Sequence, residues 1–233
     1  MYNEEKIVTD TIKQLKLLAD THSERSFEFI FVNDGSRDDC AGIASSETAD
    51  DSRFRIIGYA DNRGKGSAVR EGMLKASGDA AVFTDCDLAY GTDVITGIAD
   101  HMIRNDTDVC IGSRNISKDG YEGYTAMRRF MSKAYIRVIT IAAGFNHSDS
   151  QSGIKCFSAK AAKAVFTLCK VSGFAFDLEA LIIAERLGYK VNEMAVKVIN
   201  HRESESKVNP VKDTFHMLSD IRKIKKRVKN IIA

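Results

Sequence analysis

Residues 27–36 read Phe-Glu-Phe-Ile-Phe-Val-Asn-Asp-Gly-Ser, and this segment gives the clearest local indication of the fold. Its first six residues are mostly apolar and β-forming, which predicts a short strand. The four residues that follow are turn formers, so the strand is expected to end in a polar loop. A short apolar run followed by polar residues recurs at 80–87 and 108–114. The chain therefore predicts several buried strands, each ending in polar residues.

Helical periodicity separates these strands. Apolar residues recur at three- and four-residue spacing over residues 5–18, 65–76 and 93–104, and a further strand is predicted at 54–58. Strands that alternate with helices indicate an α/β fold, a mostly parallel, Rossmann-like sheet with helices on both faces. The rest of the chain predicts helices at 127–143, 159–169, 176–187 and 211–232 and extended segments at 155–157 and 191–199. We expect one domain over residues 1–210, followed by a basic amphipathic helix over 211–233.

Composition and charge exclude several classes of protein. The chain has 233 residues, of which 44% are hydrophobic and 28% charged, which is typical of a globular protein and excludes a disordered or fibrous one. The net charge is +2, but residues 222–229 hold six basic residues and no acid, which leaves 28 basic and 32 acidic residues elsewhere. A mildly acidic body argues against nucleic-acid binding. Five widely spaced cysteines predict reduced thiols and a cytoplasmic protein.

Polar residues follow three of the predicted strands, at the edge where parallel sheets bind their ligands. Asp34 follows the first strand, Asp85 and Asp87 follow the strand at 80–84, and Arg114 follows the strand at 108–112. Two carboxylates separated by one residue can share Mg²⁺ or Mn²⁺, whose remaining ligands are water and substrate phosphate. The alternative is a polar turn without a ligand, since so short a motif recurs by chance.

A glycine-rich segment, Asn62-Arg-Gly-Lys-Gly-Ser67, leads from a strand into a helix. Its glycines allow close approach of the backbone to a ligand, and Lys65 at the helix start favours an anion. The segment lacks the Ser or Thr that follows the lysine of a phosphate-binding P-loop, and it lacks the Gly-x-Gly-x-x-Gly of dinucleotide-binding folds. An ordinary turn into a helix is the alternative.

An ordered series of short motifs runs along nearly the whole chain. The motifs are Tyr-Asn-Glu-Glu (2–5), Val-Asn-Asp-Gly-Ser (32–36), Asn-Arg-Gly-Lys-Gly (62–66), Asp-Cys-Asp-Leu (85–88), Gly-Ser-Arg (112–114), Asp-Ser-Gln-Ser-Gly-Ile-Lys (149–155), Phe-Asp-Leu-Glu (176–179) and Ser-Lys-Val (206–208). This series resembles the family 2 glycosyltransferases of the GT-A fold. Within that family it is most similar to the polyprenyl-phosphate branch, of the dolichyl-phosphate β-glucosyltransferase type.

The resemblance implies roles for individual residues. It implies that the nucleotide is bound by Tyr2, Glu4, Asp34, Lys65 and Asp85, and that the divalent ion is held by Asp85 and Asp87. It implies an acceptor-phosphate site formed by Arg114, Arg128, Ser132, Arg202 and Lys207, with the last two in a loop that also holds Ser206. It also implies that Asp87 and Asp149 are catalytic. The alternative for the arginines is that they form surface salt bridges. The four-residue spacing of Arg128 and Ser132 places both on one helix face, which favours the acceptor site.

The chain departs from the family pattern at three places. The resemblance implies a central strand before Tyr2, and we expect this first strand to be missing here and the sequence to be a truncated version of a longer protein. Ala89 stands where the mannosyl branch has a glutamine ligand, and the segments Asp-Ser-Gln-Ser-Gly (149–153) and Ser-Lys-Val (206–208) fit the glucosyl type better. Ala195 stands where the family usually has a proline.

The resemblance implies an inverting, metal-dependent enzyme that moves a hexose, expected to be glucose, from a UDP-sugar to a polyprenyl phosphate. Its expected partners are the nucleotide sugar, the lipid-linked acceptor and the inner face of the membrane in the cell envelope, which the basic C-terminal helix would contact peripherally. The alternatives are a transferase of the same fold that acts on a sugar hydroxyl in polysaccharide synthesis and a non-catalytic nucleotide-sugar binding protein. A nucleotidyltransferase is a further rival, although the chain lacks a glycine-rich loop near its start.

Overall fold

The structure is a computed structural model that describes residues 1–117, 119–122, 126–144, 147–199 and 210–230. In chain order the elements are α1 (Glu5–Thr21), β1 (Phe29–Asp34), α2 (Cys40–Glu47), β2 (Phe54–Tyr59), α3 (Lys65–Lys75), β3 (Ala80–Phe83), α4 (Asp93–Arg104), β4 (Val109–Ser113), α5 (Ala126–Ala143), β5 (Lys155–Ser158), α6 (Ala159–Leu168), α7 (Phe176–Arg186), β6 (Val191–Ala195) and α8 (Pro210–Val228). The expected α/β class is confirmed. Helix α2 was not predicted, because its short, small-residue sequence carries no helical apolar period.

The strands form two sheets rather than one. β1 and β2 pair in parallel, and the second sheet has the order β3-β5-β4-β6. β4 and β6 are parallel, whereas β5 runs antiparallel to both of its neighbours. The physical reason is that the chain leaves β4 at the carboxyl edge of the sheet and, after α5, enters β5 from that same edge. Alternation of strands and helices did not predict this reversal.

A slot separates the two sheets at the place where the resemblance implied a further strand. Within the described sheets, β1 and β3 are both edge strands, and a cavity of about 640 Å³ lies between them. Met1 borders this cavity and pairs with β1: its nitrogen donates to the carbonyl oxygen of Val32 at 2.7 Å, and its carbonyl oxygen accepts from the amide of Asp34 at 2.9 Å.

The last helix is part of the main core. From Met217 onward, where its side chains are described, α8 buries an apolar stripe of Met217, Ile221, Ile224 and Val228 against the cluster that contains residues of α5 and α7. The cations of residues 222–229 lie on its exposed side. Among the described residues, no helix is both long enough and apolar enough to span a bilayer.

Candidate active site

The carboxyl edges of the strands bring the sequence-predicted acids and cations together. Asp34 ends β1, Asp85 lies two residues beyond β3, and Arg114 directly follows β4. Lys65 is the first residue of α3, and its Nζ lies 2.5 Å from Oδ1 of Asp85. Burial disfavours the charged form of Lys65, but the carboxylates of Asp85 and Asp177 outweigh it, so the pKa of Lys65 is raised.

Asp34 is buried and orders the glycine-rich segment. Its carboxylate accepts hydrogen bonds from the side-chain amide of Asn62 (3.0 Å) and from the backbone amides of Arg63 (2.8 Å) and Gly64 (3.0 Å). The carboxylate therefore fixes the loop that carries Lys65. A direct contact between Asp34 and a nucleotide stays a prediction.

The two glycines around Lys65 are required by the protein's own backbone. Gly64 has φ +94°, a conformation that disfavours other residues, and a Cβ there would lie 2.5 Å from the carbonyl oxygen of Ser172. At Gly66 a Cβ would lie 2.4 Å from the carbonyl oxygen of Val171. The sequence predicted close approach of a ligand at these glycines, whereas the structure shows close approach of residues 171–172.

Asp85 and Asp87, the two carboxylates predicted to bind a metal ion, lie beyond the end of β3 at a partly exposed edge of the sheet. Oδ1 of Asp87 accepts from the amide of Ala89, and the Asp85 side chain is 40% exposed. A Cβ on Gly153 would lie 2.4 Å from Oδ2 of Asp85, so this glycine leaves room for the carboxylate. Among the described residues, no three His, Cys, Asp or Glu side chains converge as a complete cage. Two carboxylates fit Mg²⁺ or Mn²⁺, since such ions usually add water and substrate phosphate oxygens.

The turn that carries these carboxylates is strained. Leu88 has φ +46°, which is unusual for any residue with a Cβ, yet its side chain is buried in the core formed with α1. Burial of Leu88 therefore holds the turn after Asp87 in a conformation that an exposed loop would leave. Burial also raises the pKa of the neighbouring Cys86 thiol to about 11, so this cysteine is protonated at neutral pH.

Arg114 and Asp149 form a buried ion pair. Nε and Nη2 of Arg114 lie 2.6 Å and 2.9 Å from Oδ2 and Oδ1 of Asp149, and the backbone amide of Arg114 donates to Oδ2 at 3.0 Å. Desolvation alone lowers the pKa of Arg114, but its hydrogen bonds to Asp149 outweigh it, and the pKa is raised. The guanidinium also lies 5.5 Å from the ring centroid of Tyr121. The pair therefore holds the protonated guanidinium of Arg114 in a fixed position at this edge.

Glu193 on β6 supports this pair and was not predicted as a site residue. Its carboxylate accepts from the amide and hydroxyl of Ser148 (3.0 Å and 2.7 Å) and from the amide of Asp149 (3.3 Å). Glu193 thereby fixes the turn that presents Asp149 to Arg114. Nothing in the sequence indicated that Glu193 supports Asp149, because the two acids are separated by 44 positions.

The acids of the Phe-Asp-Leu-Glu motif (176–179) bind groups of the protein interior next to the site. Asp177 accepts from Nζ of Lys155 at 2.7 Å, and Lys155 is fully buried and also donates to the carbonyl oxygen of Ser152. Glu179 accepts from the amides of Lys170 (2.8 Å) and Val171 (2.7 Å) and forms an ion pair with Arg227 of α8. These acids hold the backbone segments that pack against Gly64 and Asp85.

Other predicted residues lie at the border of the site or outside the described residues. The side chain of Tyr2 is 42% exposed, and Glu4 directly precedes α1. Arg128 and Ser132 belong to α5, but their side chains are outside the described residues. Arg202, Ser206 and Lys207 also lie outside the described residues. Of the residues predicted to bind the acceptor phosphate, Arg114 is therefore the one whose side chain the structure describes.

The fold places these groups where open α/β sheets bind nucleotides, beyond the carboxyl ends of the strands. The architecture and this edge define a Rossmann-like α/β protein of the GT-A type. The chain belongs to Glycosyl transferase family 2, whose family model matches residues 1–166.

Solved structures share this fold at low sequence identity. Glucosyl-3-phosphoglycerate synthase from Mycobacterium tuberculosis, solved with Mn²⁺, UDP-glucose and phosphoglyceric acid, is 19% identical with a TM-score of 0.65, and the match covers 100% of this chain and 78% of that one. Mannosyl-3-phosphoglycerate synthase from Rubrobacter xylanophilus is 15% identical, also with a TM-score of 0.65, over 98% of this chain and 72% of that one.

Curated relatives are more similar in sequence. A dolichyl-phosphate beta-glucosyltransferase of Trichomonas vaginalis is 30% identical over 218 residues, which cover 89% of this chain. The protein of the same name from Dictyostelium discoideum is 29% identical over 97% of this chain. The match spans 64% of the Trichomonas protein and 72% of the Dictyostelium protein.

Proposed function

We propose that this protein transfers glucose from UDP-glucose to a polyprenyl phosphate, with inversion at the anomeric carbon and with a divalent ion. The proposal rests on the family membership and on relatives named dolichyl-phosphate beta-glucosyltransferase. The structural observation that carries it is the contact between Lys65 and Asp85, which places a cation and a carboxylate together at the edge where the diphosphate of a nucleotide sugar would lie.

Asp85 and Asp87 would hold the divalent ion. When bound, Mg²⁺ or Mn²⁺ would neutralise the negative charge that develops on the departing diphosphate. Mn²⁺ with UDP-glucose in the structure of the Mycobacterium relative supports this assignment. Lys65 would act on the same charge, because its Nζ already lies beside Asp85 at the start of a helix, where anions are favoured.

Arg114 would bind the acceptor phosphate. A guanidinium can make paired hydrogen bonds to a phosphate, and the contact with Asp149 leaves Nη1 of Arg114 for such a bond. The ring of Tyr121 connects Arg114 with α5, since Arg129 and Lys133 lie 5.9 Å and 5.6 Å from the same ring centroid. Arg128 and Ser132 of α5, together with Arg202 and Lys207, complete the proposed acceptor set.

The reaction needs no strong general base. A phosphate monoester loses its second proton with a pKa of about 6, so the acceptor oxygen is already ionised at neutral pH. That oxygen would form a bond to the anomeric carbon while the bond from this carbon to the diphosphate breaks on the opposite face. Asp149 is buried with both oxygens bonded to Arg114, and we therefore propose that it positions Arg114 and transfers no proton.

The surface around α5 fits an anionic membrane. Residues 126–143 contain four cations and no acid. Met127, Phe130 and Ile141 are about 70% exposed, and Arg129, Lys133 and Arg137 are exposed beside them. Helices with exposed apolar and basic residues side by side bind lipid interfaces. The lipid chain of the acceptor would then lie in the membrane while its phosphate reaches Arg114.

Helix α8 would contribute positive charge to the membrane contact but would not insert into the bilayer. Its apolar stripe, including Ile221 and Ile224, is already buried in the core. Its exposed cations, Arg222, Lys223, Lys226 and Lys229, could only contact lipid headgroups electrostatically. We propose a peripheral location at the inner face of the membrane and, as partners, the nucleotide sugar and a lipid-linked phosphate.

A transfer assay tests the proposal. The chain, UDP-glucose, Mn²⁺ and a short polyprenyl phosphate in detergent should yield a glucosylated lipid phosphate. Asp87→Asn should lower the rate at least about 100-fold, because metal-linked charge stabilisation is worth several kcal/mol. Asp93→Asn, an exposed acid on α4, is the matched control and should retain the rate. Transfer to a sugar hydroxyl with no use of lipid phosphate would contradict the acceptor assignment.

A further inference from the structure

The backbone of residues 169–172, which connects α6 to α7, packs against the start of α3. The carbonyl oxygen of Ser172 accepts a hydrogen bond from the amide of Gly66 at 2.8 Å. The same oxygen lies so close to Gly64 that a Cβ there would come within 2.5 Å of it. The 169–172 segment therefore contacts the residues on both sides of Lys65.

A buried ion pair between α7 and α8 holds the 169–172 segment. Oε2 of Glu179 accepts hydrogen bonds from the backbone amides of Lys170 (2.8 Å) and Val171 (2.7 Å). Arg227 of α8 pairs with the other carboxylate oxygen. The Glu179 side chain is fully buried, whereas the Arg227 side chain is 39% exposed. Because a buried carboxylate without a cationic partner is strongly disfavoured, the charge of Arg227 offsets the burial of Glu179.

Lys65 is therefore under the influence of α7 in two ways. Its Nζ lies 2.5 Å from Oδ1 of Asp85, and the charge of Asp177, in the first turn of α7, acts on it as well. Its backbone lies between the two glycines that the 169–172 segment contacts, and Glu179 of α7 binds that segment. A lysine side chain is flexible, so the place of its backbone decides which groups its ammonium can reach.

We propose that Glu179 and Arg227 are positioning residues for Lys65. Their ion pair fixes the 169–172 segment, and this segment fixes the first turn of α3. The first turn then holds Lys65 where its ammonium meets the diphosphate of a nucleotide sugar. The identity of that ligand rests on the proposed function. Nucleotide affinity thus depends on α8, although neither Glu179 nor Arg227 touches the nucleotide.

Amide hydrogen exchange tests the structural half of the proposal without any ligand. In Arg227→Gln, exchange of the amides of Val171 and Gly66 should become about 10-fold faster, because local opening of this region becomes easier. Arg186→Gln is the matched control. Arg186 also joins α7 to α8, by a bond from Nη1 to the carbonyl oxygen of Lys229 at 3.2 Å, but it is the last residue of α7. Exchange at both amides should stay unchanged in this variant.

Titration with UDP in the presence of Mn²⁺ tests the functional half. The Kd should rise about 10-fold in Arg227→Gln and stay unchanged in Arg186→Gln. Arg227→Lys keeps the positive charge and should give an intermediate Kd; it replaces Arg227→Gln if circular dichroism shows that the latter is unfolded. Arg227→Gln should add little to the effect of Lys65→Met, because both changes remove the same contribution to binding.

Three results would overturn the proposal. The first is faster exchange in Arg227→Gln with an unchanged Kd for UDP. The second is independent, additive effects of Lys65→Met and Arg227→Gln on that Kd. The third is an equal effect of Arg186→Gln, which would assign the change to loss of α8 packing in general. Absence of UDP binding by the unaltered chain would contradict the proposed function, and exchange at Gly66 would still decide whether the ion pair orders the start of α3.

Discussion

Arg114 binds both carboxylate oxygens of Asp149, with Nε–Oδ2 and Nη2–Oδ1 distances of 2.6 Å and 2.9 Å. The carboxylate is fully buried, whereas the Arg114 side chain retains 13% exposure. The exposed part of the pair is therefore the cation. This relationship supports the proposal that Arg114 binds the acceptor phosphate and that Asp149 positions Arg114.

Asp149→Asn should destabilise the protein and impair acceptor binding. Removing one charge of a buried pair leaves the other without its partner, which costs about 3 kcal/mol. The free energy of unfolding in urea should fall by that amount, and the KM for the lipid phosphate should rise more than the affinity for UDP falls. Asp93→Asn is the control. Unchanged stability would show that Arg114 finds another partner.

UDP should stabilise the protein only when Mg²⁺ or Mn²⁺ is present. At about 100 times its Kd a ligand stabilises by about 2.7 kcal/mol, which corresponds to a shift of about 5–10 °C for a chain of this size. Asp87→Ala should abolish the shift. Thermal melts with UDP, GDP and dTDP, each with metal or chelator, measure it. An equal UDP shift in chelator would refute metal-dependent binding.

Arg128→Ala should weaken use of the lipid phosphate more than binding of the nucleotide. This expectation comes from the family resemblance and from the position of Arg128 on α5, the helix that also carries Arg129 and Lys133 near Tyr121. Steady-state kinetics with varied acceptor, together with UDP titration, separate the two effects. Equal losses in both would place Arg128 outside the acceptor site.

The basic face of α5 should govern lipid binding. Each cation near an anionic surface contributes about 1 kcal/mol, so changing Arg129, Lys133 and Arg137 to Gln should weaken binding to phosphatidylserine vesicles by about 100-fold. The control changes three exposed lysines elsewhere, Lys6, Lys13 and Lys160. Vesicle co-sedimentation at low salt measures both variants. Equal loss in both would indicate a general charge effect instead of a specific surface.

Acid should remove the stabilisation from Asp51. The guanidinium of Arg53 donates to both of its oxygens, at 2.8 Å and 2.7 Å, and these bonds hold the pKa of Asp51 below its usual value. A lowered pKa in the folded state gives a stabilisation that is complete above the unfolded pKa of about 4 and is lost as the pH falls through the folded value. Asp51→Asn should flatten this part of the urea stability profile between about pH 5 and 2. An unchanged profile would contradict the assignment.

Apart from helix α2, the order of strands and helices and the residues at the strand ends could be predicted from the amino-acid sequence. Both follow from local patterns: apolar periodicity distinguishes β3 from α4, and a polar residue after a buried strand must lie at its end, as Asp85 does. Parallel pairing then places such ends at one edge. For this reason Asp34, Asp85 and Arg114 could be predicted to lie at one edge.

Which of these side chains bind one another depends on contacts between residues far apart in the sequence. Arg114 pairs with Asp149 across 35 positions and Lys155 with Asp177 across 22, and no local pattern encodes contacts between such distant residues. The reversal of β5 and the exposed face of α5 also depend on what packs against them. The slot beside β1 is a further example. The local sequence predicts that β1 is a strand, but which strands pair with it depends on the rest of the fold.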